Sequence, residues 1–363
     1  MTLPKEKLSK SQIQSLKARW NQPGRDGSQS LAQEMVQQLK TECRKSSFDR
    51  PTRLDLRGIP LFNEELSNLD LSRYDFSYAS LNGCNFFGTN FSYSICHDTH
   101  MEQTTLDECE FLGSDMTRAN LNECTAKQCG FGGTNLSHAS LINADLTEAA
   151  FSHSTLIHAD LRASNLNRAR LTEADLSHAI LTRANLSESD LKNSRVAGTT
   201  FELSDMKGCR VSGIKSFKKA SWIGVDIRDL DFRGAYLVRR YIADENYLFE
   251  FKSKSRMNHL IYLVWRATSD CGRSLSRWFF CLLLATLTFS AIYTMVEIDY
   301  GDYKTVFSPV YFSIVTLTTL GYGDAVPMSI PAQIFVTLQA ISGYMGLGGL
   351  LSILGNKMAR RAE

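Results

Sequence analysis

The sequence predicts a chain of two unlike parts: a solenoid, followed by a membrane unit of two spanning α-helices with a short helix between them. Three observations carry this prediction. From Leu71 to Val211 every fifth residue is apolar. Near the C-terminus, Trp278–Val296 and Ile330–Leu354 are near-continuous apolar runs, each of about the twenty residues that a helix needs to cross a bilayer. Between these runs stands Thr319-Leu320-Gly321-Tyr322-Gly323-Asp324. Whole-chain averages hide the division: the 363 residues carry a net charge of +2 and a mean hydropathy of −0.19, as an ordinary soluble protein does.

A period of five matches neither the helical period nor the two-residue period of a flat strand, so it calls for stacked coils. Two residues before each apolar position, from Ala79 to Cys209, stands only Ala, Ser, Thr or Cys, and Ala144-Asp145-Leu146-Thr147-Glu148 shows the unit. Over residues 52–238 the pattern resembles the pentapeptide-repeat family. That resemblance implies an all-β fold, a right-handed quadrilateral β-helix with four units per coil and with the large and small residues pointing inward. Six of the nine cysteines (Cys84, Cys96, Cys109, Cys124, Cys129, Cys209) take inward positions, so they read as reduced structural thiols. After Val211 the register slips by one, and Phe217, Trp222, Ile227, Phe232 and Leu237 continue the period.

In such a coil, residues twenty apart stack on one face. Glu148, Arg168 and Glu188 then form a ladder of alternating charge. His138, His158 and His178 form a second column, spaced by about 5 Å. It reads either as three solvated outward residues or as a stripe sensitive to pH or metal, since neighbouring imidazoles repel when protonated.

The hexapeptide 319–324 supplies what a cation pore needs. Gly321 and Gly323 can take positive φ and turn consecutive carbonyls toward one axis, and Thr319 can add its hydroxyl oxygen. The segment resembles the potassium-channel signature T-V-G-Y-G-D, with Leu320 in place of Val. The resemblance implies a selectivity filter of Thr319, Leu320, Gly321, Tyr322 and Gly323, with Asp324 at the outer mouth. It also implies a homotetramer, because one chain supplies one strand of a carbonyl ring. Potassium is then the permeant ion, and no cofactor is expected. Tyr322 stands where related non-selective channels carry Asp, and Val315 stands where some bacterial channels carry a Glu behind the filter.

Ser308-Pro309 reads as an N-cap followed by Pro at the first helical position, opening a pore helix over about Pro309–Thr318 whose negative end favours a cation. Tyr311 and Phe312 match the aromatic pair that packs around a potassium-channel filter. In the second span, Gly343, Gly346, Gly348 and Gly349 fit either close helix packing or a gating hinge, with Gly343 matching the family's inner-helix glycine.

Arg266, Arg273 and Arg277 precede the first span and Lys357, Arg360 and Arg361 follow the second, whereas the intervening loop holds Glu297, Asp299, Asp302 and only Lys304. This places both termini in the cytoplasm of a plasma-membrane protein of bacterial inner-membrane type. Met1–Trp20 is Lys-rich without the apolar core of a signal peptide. Residues 1–51 read as two helical pieces, about 7–20 and 29–43, split at Pro23-Gly24 and capping the first coil. Residues 239–277 form a basic linker with an apolar patch (Leu260, Ile261, Leu263, Val264, Trp265), either lying on anionic headgroups of the inner leaflet or packed on a neighbouring subunit. The pore unit spans 278–354 and a basic tail follows at 355–363.

The predicted function is potassium conduction with a regulatory or assembly role for the repeats. The alternative is a protein-binding repeat module tethered to the membrane. Some pentapeptide-repeat proteins imitate duplex DNA, but residues 71–210 hold 17 Asp+Glu and 11 Lys+Arg, too weakly acidic for that role, and no nucleic-acid partner is expected. No nucleophile–base constellation, phosphate loop or metal-ligand spacing marks an enzyme. An Arg-rich voltage-sensing span is also missing from the sequence.

Overall fold

The computed structural model describes residues 8–24, 29–43, 55–231, 233, 235–301 and 304–362, with side chains to Gly355. The chain divides into two compact units, Met1–Tyr247 and Leu248–Glu363. The expectations for Phe232, for Asp302 and for the side chains of Lys357, Arg360 and Arg361 lie outside the described residues.

In the first unit, parallel bridges join residues twenty apart, from Asp55↔Asp75 to Arg195↔Lys215. Four five-residue units therefore make one coil. The chemistry of each unit explains its shape. The large residue is fully enclosed, as at Leu136, Leu141, Leu146 and Phe151, and the small residue before it is enclosed too, as at Ala139, Ala144 and Ala149. Burying each such leucine or phenylalanine contributes about 1.5–3 kcal/mol. Two residues after the large one, the backbone turns the corner in the left-handed region (φ +57 at Glu123, +58 at His158). Asp or Asn recurs just before the large residue because its Oδ1 accepts the N–H two residues on, as in Ser77 N–H to Asp75 Oδ1 at 3.0 Å and Ser187 N–H to Asn185 Oδ1 at 3.0 Å. Between coils the backbone pairs continuously, for example Leu81 N–H to His100 O at 2.7 Å.

The extra residue after Val211 is taken up locally. Ser216 adopts φ 61 ahead of a single 3-10 turn, Phe217–Lys219, and the bridges then join residues twenty-one apart, from Thr200↔Ser221 to Arg210↔Asp231. Trp222 fills the interior against Phe201, with ring centroids 4.5 Å apart. Leu237 does not continue the period. It is exposed on helix α3 (Tyr236–Lys254), because the ladder ends at Asp231 and the helical repeat takes over.

Both ends of the β-helix are covered. Before the first coil stand α1 (Lys10–Ala18) and α2 (Leu31–Glu42), each opened by a capping box, at Ser9/Gln12 and Ser30/Gln33. Trp20 is buried with its indole N–H on Arg57 O at 2.8 Å, and Arg19 pairs with Asp55 at 2.9 Å. The Arg57 and Arg19 guanidinium groups hold the Asp55 carboxyl well below the usual carboxylate range. At the far end, Asn246 of α3 accepts Gly224 N–H at 2.7 Å and donates to Trp222 O at 3.0 Å, standing in for the next coil. Covering these strand edges prevents end-to-end pairing of copies.

Seven of the nine cysteines are buried. Burial pushes the Cys84 thiol up to about 11 and those of Cys96, Cys109, Cys124 and Cys209 up to about 12. The thiolate is the reactive form. A maleimide at pH 8 is therefore expected to label at most the two partly exposed cysteines, Cys271 and Cys281, in the folded protein, and all nine once it is denatured. Mass spectrometry showing fast labelling at Cys109 or Cys129 would contradict this interior.

The second unit holds α4 (Arg256–Ser269), α5 (Leu275–Tyr293), α6 (Ser308–Leu317) and α7 (Ile330–Ala362), with a two-stranded antiparallel pair, β1 (Ile298–Asp299) and β2 (Val326–Pro327). Leu275–Tyr293 and Ile330–Gly355 are long and apolar enough to cross a membrane. The first of these begins earlier than the apolar run suggests, because Ser274 caps it by accepting Arg277 N–H.

Candidate functional site

The hexapeptide 319–324 lies between α6 and β2. Helix α6 does not begin as the Ser-Pro pair suggests. Phe307 is the N-cap and Ser308 the first helical residue, because the Ser308 hydroxyl accepts Thr305 N–H at 2.8 Å and is not free to cap. Pro309 still sits in the first turn, where no intrahelical N–H is needed. At the other end, the carbonyls of Thr316 and Val315 accept the N–H groups of Thr319 and Leu320 at 3.1 and 3.0 Å. The last turn of the helix thus hands its carbonyl end directly to the hexapeptide, with the negative pole of α6 beside Thr319.

The backbone of this segment alternates. Thr319, Gly321 and Gly323 have φ of +59, +52 and +79, while Leu320 and Tyr322 are not in the left-handed region. In an ordinary strand successive carbonyls face opposite ways. Alternating the sign of φ turns them to the same side, as a file of ion-coordinating oxygens requires. The glycines accept positive φ freely, and a Cβ at either would meet nothing within 4 Å. Thr319 is the surprise, since a β-branched residue at positive φ is an outlier. The sequence assigned it only a hydroxyl ligand, and nothing in its side chain announced the backbone.

The remaining candidates separate. Phe312 is buried against Tyr293 and Tyr300, with ring centroids 5.1 and 6.2 Å away. Tyr311 instead faces Asp324 and interacts with its carboxylate. The aromatic pair therefore divides, one ring anchoring α6 to α5 and the other reaching Asp324 at the end of the hexapeptide. The side chains of Leu320 and Tyr322 are exposed on the single chain. The β1–β2 pair clamps the segment just after Asp324, through Ile298↔Pro327 and Asp299↔Val326.

The four α7 glycines are not equivalent. An added Cβ at Gly343 would stand 2.2 Å from the Leu317 carbonyl oxygen. At Gly346 it would meet the end of the Leu282 side chain at 2.6 Å, and at Gly349 the Trp278 ring at 2.4 Å. At Gly348 it would meet nothing within 4 Å. Trp278 lies in the slot left by Gly349, and its indole N–H donates to Gly346 O at 2.9 Å. Helix α7 runs without interruption through all four.

In the first unit, His138, His158 and His178 stack as exposed parallel rings with centroids 5.0 and 4.9 Å apart. Arg118, one coil before them, is paired with Asp98 at 2.6 Å. Glu148, Arg168 and Glu188 form their ladder at 3.9 and 2.8 Å. Among the described residues no group of three or more His, Cys, Asp or Glu is placed to hold a metal ion.

Sequence reasoning passed over Gln339, Ser313 and Tyr293, which are buried and hydrogen-bonded to one another behind α6. The apolar run holds two glutamines, Gln333 and Gln339, and the sequence does not say which of them is buried.

Two membrane-length helices flanking a short helix and a hexapeptide of alternating φ define the core of a membrane channel. Residues 281–360 match a family model described as ion channel. Residues 99–180 match the pentapeptide repeat region, and residues 65–92 and 169–208 match pentapeptide repeats. The chain is thus a membrane protein that joins an N-terminal pentapeptide repeat region to a C-terminal ion channel domain, and neither family is enzymatic. Its channel part is distantly similar to the A-type voltage-gated potassium channel KCND3 of human and rat, at 26% identity over 110 residues, which is 29% of this chain and 16% of that protein. The chain thus spans about a sixth of the length of these curated relatives. Among solved structures, it is similar to HetL, a pentapeptide repeat protein from the cyanobacterium Nostoc sp. strain PCC 7120, at 20% identity and a TM-score of 0.30, covering 56% of this chain and 94% of that one. It is also similar to QnrB1, a plasmid-mediated fluoroquinolone resistance protein, at 18% identity and a TM-score of 0.25, covering 53% of this chain and 98% of that one.

Proposed function

We propose that this chain is one subunit of a homotetrameric, potassium-selective channel of the plasma membrane, with both termini cytoplasmic. The observation that carries the reading is the alternating backbone of 319–323, held at the carbonyl end of α6. Four copies bring four such strands around one axis, and their carbonyls with the Thr319 hydroxyls replace the water of a potassium ion. Asp324 draws cations to the outer mouth. The exposed apolar faces of α5 and α7 then contact lipid and neighbouring subunits. Helix α4 exposes Met257, Leu260, Ile261 and Val264 beside a basic sequence, which supports contact with anionic headgroups of the inner leaflet.

The test is ion flux from liposomes holding the purified full-length chain, under potassium and sodium gradients. Potassium flux at least tenfold above sodium flux is expected. No potassium flux, or equal flux of both ions, would sink the reading.

The repeat region serves assembly or regulation in this proposal. The histidine column is a candidate for the regulatory input through protonation, since charged rings about 5 Å apart repel. Replacing His138, His158 and His178 together with Gln is expected to flatten any change in flux between pH 8 and pH 5.5. An identical pH profile in the triple variant would leave the column as three solvated side chains.

A further inference from the structure

A buried hydrogen-bond chain joins all three helices of the pore unit. The Tyr293 hydroxyl on α5 donates to Gln339 Oε1 on α7 at 2.5 Å. Gln339 Nε2 donates to the Ser313 carbonyl oxygen of α6 at 3.0 Å and to its Oγ at 2.6 Å. The Ser313 hydroxyl in turn donates to the Thr286 carbonyl of α5 at 2.8 Å. Gln339 and Ser313 are 0% exposed and Tyr293 is 1% exposed. The Gln339 amide uses its acceptor and both kinds of contact open to its NH2 group, in a region where no bulk water competes. Satisfied polar networks of this kind fix one arrangement of the groups they join.

The position of this chain gives it a role. Ser313 stands on the same short helix whose Val315 and Thr316 carbonyls receive the N–H groups of Leu320 and Thr319. A shift of Ser313 along or around the α6 axis is therefore passed to the start of the hexapeptide within two turns. Helix α7 touches α6 at a second point one turn further on, where Gly343 lies against Leu317. Ser313 is thus held from the side by α7 and from behind by α5. The Val315 side chain, two residues further along α6, is a buried hydrocarbon and offers no hydrogen bond.

We propose that Gln339 is a positioning residue for ion selectivity. Through Ser313 it sets the rotation and height of the pore helix, and so the diameter of the carbonyl ring formed by residues 319–323. This rests on the potassium-channel reading above. In a ring of four strands, one displacement repeats in every subunit, so a small rotation of α6 widens the ring on all sides. A wider ring dehydrates sodium and potassium less selectively.

The experiment measures the potassium-to-sodium permeability ratio of full-length protein in liposomes. Gln339→Met keeps length and apolar bulk but has neither the donor nor the acceptor. Ser313→Ala removes the hydroxyl, and Ser313→Thr keeps it. Gln339→Met and Ser313→Ala are expected to lower the ratio at least fivefold while still conducting, with Ser313→Thr within about twofold of native. Tyr293→Phe, which leaves both contacts of the Gln339 NH2 group in place, is expected to fall between. A purely structural role would reduce the amount of folded tetramer and leave the ratio of what remains unchanged; that result would overturn the proposal. Should Gln339→Met fail to assemble, the Ser313→Ala and Ser313→Thr pair decides, and equal ratios in the two overturn it. Loss of potassium flux from the native chain is a different result, which removes the channel reading and this inference with it.

Discussion

Gly343→Ala is expected to cut potassium flux at least tenfold and to destabilise the pore unit by about 1–3 kcal/mol, the usual cost of overpacking. The added Cβ would stand 2.2 Å from the Leu317 carbonyl oxygen, 2.9 Å from its carbon and 3.1 Å from Cα. These are backbone atoms of the last turn of α6, so no rotamer change relieves the clash. Either α7 backs away or the end of α6 moves, and the second course displaces Thr319. The other glycines have more room. Gly346→Ala meets a leucine methyl that can rotate, and Gly348→Ala meets nothing within 4 Å, so both are expected to keep more than half of native flux. Gly349→Ala pushes on the Trp278 ring and should fall between. Liposome flux and the melting temperature of the detergent-solubilised protein check the order. A hinge at Gly343 predicts something else, native thermal stability with altered open probability. Wild-type flux and stability in Gly343→Ala would refute the contact described here.

Phe131→Ala is the second large effect. Phe91, Phe111, Phe131 and Phe151 stack along the inside of the β-helix, with centroids 4.8, 5.3 and 4.8 Å apart and planes within 8° of parallel. Deleting the ring leaves a cavity that the coils above and below cannot close, since their backbones are tied together by hydrogen bonds. The expected cost is about 3–5 kcal/mol. Phe131→Leu places the residue that three other coils use in this column, at Leu71, Leu171 and Leu191, and should cost under about 1.5 kcal/mol. Urea unfolding followed by circular dichroism separates the two. In a solenoid each coil is stabilised mainly by its neighbours, so the loss should appear as earlier unfolding of the coils around Phe131. Equal midpoints for Ala and Leu would mean that the interior is not close-packed there.

The period of five was legible because in a regular four-sided coil a residue at the wrong step points outward. The slip after Val211 was legible for the same reason, and the 3-10 turn at Phe217–Lys219 is its physical form. Leu237 was misread because a five-residue step also fits by chance where a helix begins, and the end of the ladder at Asp231 leaves no mark on the hydrophobic pattern. Ser308 was misplaced by one position because Ser-Pro suits either the cap or the first turn, and the competing donor, Thr305 N–H, lies in the preceding loop. The Gln339 network was invisible for a different reason. Its partners lie 26 and 46 residues away, and nothing local tells a buried, satisfied glutamine from one tolerated at the edge of a span.

The twenty-residue stacking of the β-helix has a consequence for its length. Every outward column, histidines and charge ladder included, is defined only by position modulo one full coil. Removing or adding twenty residues within the regular part would shorten or lengthen the first unit while leaving each column in line and the covering helix α3 facing the same way. Removing five would swing the later columns of the β-helix through a quarter turn. The β-helix therefore behaves as a screw with four settings per thread, and its length can vary in whole threads without moving any column out of line.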